Sequence, residues 1–320
     1  MKLNNINLMM FWMLMITGTM MVMSTNKWII MWVGLEMNMM GFIPMLHKMK
    51  NIYSSESMII YFSIQSMGSL IMLITIMMSS NYNFFNNIIM MGIMIKLGSA
   101  PFHFWLPEMM NKMNWKESLI LMTWQKLAPL MTLTQLNFNP QMFIFTILNV
   151  TMGVLGSIGQ TSIYKIMAYS SINHLGWMIM SITYSQNLWI NYMMIYTMNL
   201  IPIMYMMNIN SIKYINQFNM MKMSMTQKLT IIFLMISLGG MPPMIGFYPK
   251  WLIVKEMMEN NDFMIIYMIM MSLIMLFIYM RMTSTMLMLN SMNKKIKHKN
   301  NYMWPMIIFI NIMLPMYLMK

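Results

Sequence analysis

The stretch FFNNIIMMGIMIKLGSAPFHFWL, residues 84–106, decides the fold class. It is apolar and long enough to cross a bilayer as a helix, which takes about 20 residues. Yet Lys96 stands near its middle, followed at once by Gly98-Ser99-Ala100-Pro101. An ionisable group at membrane depth costs about 2.5–3.5 kcal/mol on insertion scales, and such groups mark ion or proton paths. Pro101 has no N–H and its ring crowds the carbonyl of Leu97, so the spacing predicts a bend or break there. Backbone opened at that depth needs protein or a wet cavity to satisfy it. A lysine beside freed carbonyls and water is placed to exchange protons. Snorkelling to the surface is the weaker account, because Phe102, Phe104 and Trp105 continue the run.

The same conflict recurs along the chain. Glu36, in WVGLEMN (32–38), has about ten residues of predicted helix on either side; it either clamps two helices or carries a proton. Lys126, in TWQKLAP (123–129), is central in its run, with Pro129 three residues on. Lys250 follows a second break built from Gly239, Gly240, Pro242 and Pro243. His174, in SSINHLGW (170–177), is read either as a satisfied interior group or as a relay, since an unperturbed imidazole titrates near neutrality. His103, close to a span end, reads as interfacial. Gly153, Gly156 and Gly159 lie in a membrane run without the dinucleotide spacing, so they predict close helix packing. The sequon at Asn149 is buried in the same run and should be inert.

Composition extends this to the whole chain. Of 320 residues, 59% are hydrophobic and only 8% charged, against about 25% in soluble domains. That excludes a soluble enzyme and predicts a single all-α polytopic membrane domain over 1–320. With no cysteine there is no disulfide framework, thiolate metal site or iron–sulfur ligation, and four scattered histidines predict no metal site. The apolar N-terminal run lacks a signal-peptide cleavage pattern. The 62 methionines, with abundant Ile, Asn and Lys, fit an A/T-rich gene in which AUA is read as Met, hence one decoded inside a mitochondrion.

Hydropathy predicts about eleven spans, near 3–23, 27–46, 56–79, 84–106, 118–138, 141–159, 161–183, 188–210, 228–256, 262–290 and 302–319. The ninth is too long for one helix and is drawn as two half-helices. Connections on one side then carry Lys48, Lys50, Lys112, Lys116, Lys165, Lys213, Lys222, Lys228, Lys294, Lys295, Lys297 and Lys299, with Lys2. The other side has only Lys27, Lys255 and Lys320, a positive-inside pattern. The N-terminus is thus expected on the positive side, the matrix in a mitochondrion, and the C-terminus opposite, facing the intermembrane space. The net charge of +13 follows from this, and the run at 294–299 reads as a topology-fixing loop, not a nucleic-acid surface.

Buried charges of this kind can act as coupled titrations. At an effective dielectric of about 20, an acid roughly 6 Å from an amine is worth about 2.8 kcal/mol, and doubling the distance halves it. Modest motion of a Glu36–Lys96 pair would therefore change the field at Lys126, and beyond it at Lys250.

The stretches WVGLEMNMMGFIP (32–44), KLGSAPFHFWLPEMM (96–110), LMTWQKLAP (121–129), SSINHLGWM (170–178) and LGGMPPMIGFYPKW (238–251) resemble animal mitochondrial NADH–ubiquinone oxidoreductase chain 2. That family is an antiporter-like membrane subunit of respiratory complex I. The resemblance implies two inverted five-helix repeats, 1–138 and 141–290, each with a discontinuous helix, plus a terminal helix at 302–320. It implies Glu36 and Lys96 as the modulating acid–base pair, Lys126 as central relay, His174 as auxiliary relay and Lys250 near proton exit. It places the chain in the mitochondrial inner membrane, among antiporter-like neighbours, small membrane subunits and lipids such as cardiolipin. NADH, FMN, iron–sulfur clusters and ubiquinone would bind other subunits, so no redox catalysis, cofactor or nucleic acid is expected here. Bacterial relatives have three further N-terminal helices, whose place neighbours or lipid would take. Two other classes stay open: a cation/proton antiporter subunit and a purely structural membrane scaffold.

Overall fold

The apolar runs fold as helices almost without exception. The structure, a computed structural model, describes residues 5–47, 51–78, 83–136, 141–220 and 224–287, with Met306, Asn311, Met313 and Pro315. Among these, fourteen helices and one isolated bridge, Ser162 to Tyr214, make up the ordered backbone. The predicted terminal helix and the lysines at 2, 48, 50, 222, 294, 295, 297, 299 and 320 lie outside the described residues. The chain divides into two compact units at Asn149/Val150.

In the first unit, α1 (Asn5–Ser24) and α2 (Trp28–Leu46) cross where two glycines face each other. A Cβ on Gly34 would stand 2.7 Å from the Gly18 carbonyl oxygen, and one on Gly18 2.6 Å from that of Gly34. Only glycine permits this approach. The long helix α3 (Ile52–Met78) buries Ser57, Tyr61, Gln65 and Ser69 at four-residue spacing. Its inward stripe is therefore polar, while Ile59, Phe62, Met67 and Leu70 are exposed. This reversal of soluble-helix amphipathicity suits a lipid surround.

The run that opens the sequence breaks as expected: α4 (Asn83–Leu97) stops before Pro101, residues 98–104 turn, and α5 (Trp105–Lys112) resumes. Gly98 there has φ +67, and the Ala100–Pro101 bond is cis. The predicted fifth span is not one helix. It divides at Thr123 into α6 (Trp115–Met122), begun by an Asn114/Glu117 capping box, and α7 (Trp124–Thr134). The Thr123 hydroxyl donates to the Leu119 carbonyl at 2.7 Å, a back-bond that bends helices.

From α8 (Gln141–Ile158) the chain enters the second unit, whose centre is α9 (Ile163–Tyr184), buried along almost its whole length. Gly153 lies against the Asn173 backbone and Gly156 against the Tyr169 ring, so both serve close packing; Gly159 has nothing within 4 Å. Next come α10 (Gln186–Ile209) and the short α11 (Gln217–Met220). A Ser224/Gln227 capping box starts α12 (Met225–Gly239). Gly240, at φ +82, ends it, its N–H donating to the Ser237 carbonyl at 2.9 Å. After the second break, which holds a cis Pro242–Pro243 bond, come α13 (Phe247–Glu259) and α14 (Met264–Leu287). The chain's one arginine, Arg281 in α14, donates from Nη1 to the Ile158 carbonyl at 2.6 Å and from Nη2 to that of Gln160 at 3.5 Å. It thus caps the end of α8. Lys228, read as a connection residue, sits instead in the first turn of α12 and is buried.

Among the described residues, four helices are individually long and apolar enough to cross a membrane: 28–46, 52–78, 141–158 and 264–286. Three shorter ones, 8–24, 85–97 and 225–239, are also apolar. The remaining predicted spans within the described residues are interrupted or carry inward polar side chains.

The second break also tests packing. A Cβ on Gly246 would fall 1.8 Å from the Ser237 carbonyl oxygen, so backbone would have to shift. Gly246→Ala should cost about 1–3 kcal/mol or more and lower the assembled protein on native gels. Gly159→Ala should leave that level unchanged.

Candidate functional site

The pair expected from sequence is formed. Glu36 lies mid-way along α2, and its Oε1 accepts from Lys96 Nζ at 3.1 Å. The Lys96 side chain is 2% exposed and that of Glu36 20%. Lys96 closes the last turn of α4, and its backbone carbonyl, left over by the break, accepts from Gln65 Nε2 at 3.0 Å. The freed backbone at this break is thus satisfied by a side chain, and the ammonium turns to the carboxylate. The Ala100 N–H in the same break donates to Asn149 Oδ1 at 2.6 Å. The sequon asparagine is fully buried, as expected of an inert acceptor, and anchors the break.

Lys126 is buried in the first turn of α7, beyond the kink at Thr123. Sequence placed it mid-helix; it sits at the positive end of a helix dipole instead. Pro129 deprives the Gln125 carbonyl of its helical donor without breaking α7. A cavity of ≈ 20 Å³ is lined by both Lys96 and Lys126, with Asn38, Tyr61, Gln65 and Gln125. Space of this size holds about one water. Tyr61 Oη donates to Gln125 Oε1 at 3.0 Å, and Gln125 Nε2 to Met15 Sδ at 3.4 Å.

In the second unit Lys250, 6% exposed, lies in the first turn of α13. Its Nζ donates to the Gly239 carbonyl at 2.9 Å and stands 5.7 Å from the Trp177 ring centroid. The ammonium thereby meets the negative end of α12 and an aromatic face, both favourable to a cation. A Cβ on Gly240 would come 3.0 Å from this Nζ, so a side chain there would press on the lysine as well as oppose the positive φ. His174 on α9 is buried, with Nδ1 2.8 Å from Tyr192 Oη. Tyr196, Asn199 and Ser237 line the small cavity beside it. His103, expected at the interface, is 2% exposed within the turn after α4, with Nδ1 3.3 Å from the Pro101 carbonyl.

Sequence reasoning missed Tyr61, Gln65, Gln125 and Asn149, and around His174 it missed Tyr192, Tyr196 and Asn199. The signal was present as polar residues at i, i+4 in apolar helices: 61 and 65 in α3, 192, 196 and 199 in α10. Among the described residues no group of three or more His, Asp and Glu could hold a metal ion.

The chain is 40% identical over 305 residues to NADH-ubiquinone oxidoreductase chain 2 of Anopheles gambiae, covering 91% of this chain and 89% of that one. The same subunit from Locusta migratoria is 39% identical over 288 residues, covering 86% and 84%. Residues 25–276 match the family described as NADH:quinone oxidoreductase/Mrp antiporter, TM. The chain belongs to the NADH-ubiquinone oxidoreductase chain 2 family. The fold of that family is shared at greater distance: a chain of respiratory complex I from Thermus thermophilus with bound aureothin superposes with TM-score 0.81 at 18% identity. The match covers 98% of this chain and 77% of that one. This chain and the Thermus thermophilus chain therefore share an all-helical fold.

The ion pair makes an asymmetric prediction. Glu36→Gln leaves an almost fully enclosed ammonium without its acid, whereas Lys96→Met leaves a carboxylate that the protein encloses less. Thermal unfolding in detergent should show Glu36→Gln as the more damaging, by about 3 kcal/mol, the lower end for breaking a buried pair. The double variant should regain part of that loss; additive losses would count against the pair.

Proposed function

We propose that this chain is the proton-translocating membrane subunit of respiratory complex I. NADH:ubiquinone electron transfer elsewhere in the complex drives protons through its buried Glu36, Lys96, Lys126, His174 and Lys250. The observation that carries the reading is the shared cavity. Lys96, held by Glu36 at a broken helix, and a second buried lysine, Lys126, line one small cavity inside an apolar bundle. Family membership supports the reaction, and this geometry supports the choice of carriers.

In this reading Glu36 and Lys96 set the local field, Lys126 takes the proton next, and in the second unit His174 is the auxiliary relay and Lys250 lies near proton exit. Gly98 and Gly240 both adopt positive φ and each is followed three residues later by a proline, Pro101 and Pro243. This parallel supports two repeats, 1–138 and 141–290, in an eleven-span protein with a terminal helix at 302–320. The lysine distribution supports a matrix-side N-terminus in the mitochondrial inner membrane. NADH, FMN, iron–sulfur clusters and ubiquinone are assigned to other subunits, and membrane-arm subunits and lipids such as cardiolipin to its flanks. The family description also names Mrp antiporters, which supports a second reading as a cation/proton antiporter subunit.

Lys126→Met tests the first reading. In the assembled complex reconstituted in vesicles, NADH-driven proton uptake should fall by at least about tenfold with unchanged subunit content. Full pumping in an assembled variant would remove Lys126 from the path. Proton flux that follows sodium and ignores NADH would favour the antiporter.

A further inference from the structure

The cavity between Lys96 and Lys126 is more specifically built than a void left by imperfect packing. Asn38, on α2 and half a turn from Glu36, lines it, is 2% exposed, and carries a buried Oδ1 with no protein donor. A buried acceptor without a partner is destabilising, and an enclosed water would relieve it. The space accommodates one, and a buried water makes about three hydrogen bonds. On the opposite side, the Tyr61 hydroxyl spends its proton on Gln125 Oε1. That leaves the phenol oxygen as an acceptor only. Gln65, the other amide on the wall, is committed through Nε2 to the Lys96 carbonyl.

We infer that Asn38, together with the Tyr61–Gln125 hydrogen bond, forms the seat of a single water that bridges Lys96 and Lys126. These three are positioning residues for the proton step and do not themselves carry the proton. The water accepts a hydrogen bond from the Lys96 ammonium and donates one to Asn38 Oδ1 and one to the amine of a deprotonated Lys126. In the transfer, Lys96 releases one proton to the water oxygen and the water releases one of its own to Lys126. One proton has moved, the water is unchanged, and Lys96 is left neutral beside Glu36. Asn38 fixes the direction of one water hydrogen. Tyr61 cannot offer a competing O–H while Gln125 holds it, so the water lone pair remains turned to the ammonium. Loss of the Tyr61–Gln125 bond would release a donor into the cavity and let the water turn away.

The inference rests on the proton-transfer reading above, and three variants separate the two. Asn38→Leu keeps the branched shape, with somewhat more bulk, but removes the acceptor; Asn38→Ser loses volume but keeps a small polar group that can hold the water. In the assembled complex in vesicles, Asn38→Leu should lower NADH-driven proton uptake at least about tenfold, and Asn38→Ser should recover much of it. A packing role would give the opposite order, because leucine fills the space and serine does not. Tyr61→Phe should lower uptake and raise the solvent deuterium isotope effect on it, with normal subunit content. Equal uptake in the leucine and serine variants, or the reversed order, overturns the water seat while Lys126→Met still abolishes flux. Undiminished flux in assembled Lys126→Met overturns both readings together.

Discussion

A carboxylate and an ammonium 3.1 Å apart inside an apolar bundle set the terms for the first unit. At an effective dielectric of about 20 their attraction is on the order of 5 kcal/mol, while removing each ion from water costs several kcal/mol. The two nearly cancel, so the pair adds little to stability. It makes the unit sensitive instead. A lengthening of the contact alters the field at every polar group nearby, and Lys126 shares a cavity with one partner. The remaining structure can be understood as what is needed to hold such charges in lipid: a polar stripe on α3, a capped break after α4, and an asparagine behind that break.

The breaks solve the same difficulty by different means. After α4 the opened carbonyl of Lys96 goes to Gln65 and the Ala100 N–H to Asn149. After α12 the carbonyl of Gly239 goes to Lys250, and the Ile245 N–H to the Asn311 carbonyl. In the first case a neutral amide satisfies the backbone and frees the lysine for an acid. In the second the lysine itself completes the helix end. The two amines therefore differ in what must be replaced if either leaves its position, a carboxylate partner for one and a helix terminus for the other.

Much of this was legible in the sequence because glycine and proline act locally. Pro101 and Pro243 each follow a positive-φ glycine by three residues and both mark breaks, whereas Pro129 without such a glycine leaves α7 intact, and isolated charges in apolar runs read as interior. Glu36 and Lys96 were each visible, and their contact followed the resemblance. The kink at Thr123 was not legible, since no glycine or proline marks it. It accompanies a hydroxyl back-bond that Thr75 also makes without breaking α3, so the residue type alone does not announce it, and it moved Lys126 from mid-helix to a helix start. Asn149 escaped because an acceptor for a distant backbone N–H leaves no periodic trace. Lys228 was read as a loop residue because hydropathy cannot place the first turn of a helix. The tyrosines and amides at four-residue spacing could have been found by asking which face of an apolar helix is polar.

The crossing at Gly18 and Gly34 bears on how the first unit can move. With backbone atoms of α1 and α2 in direct apposition, no side chain lies between them to change rotamer and absorb a displacement. Glu36 is two residues from that crossing, so its main chain is fastened to a two-helix strut. Any change in its separation from Lys96 then falls to rotation about the side-chain bonds of the two residues, or to the end of α4, which stops one residue after the lysine and is itself tied to Gln65 and Asn149.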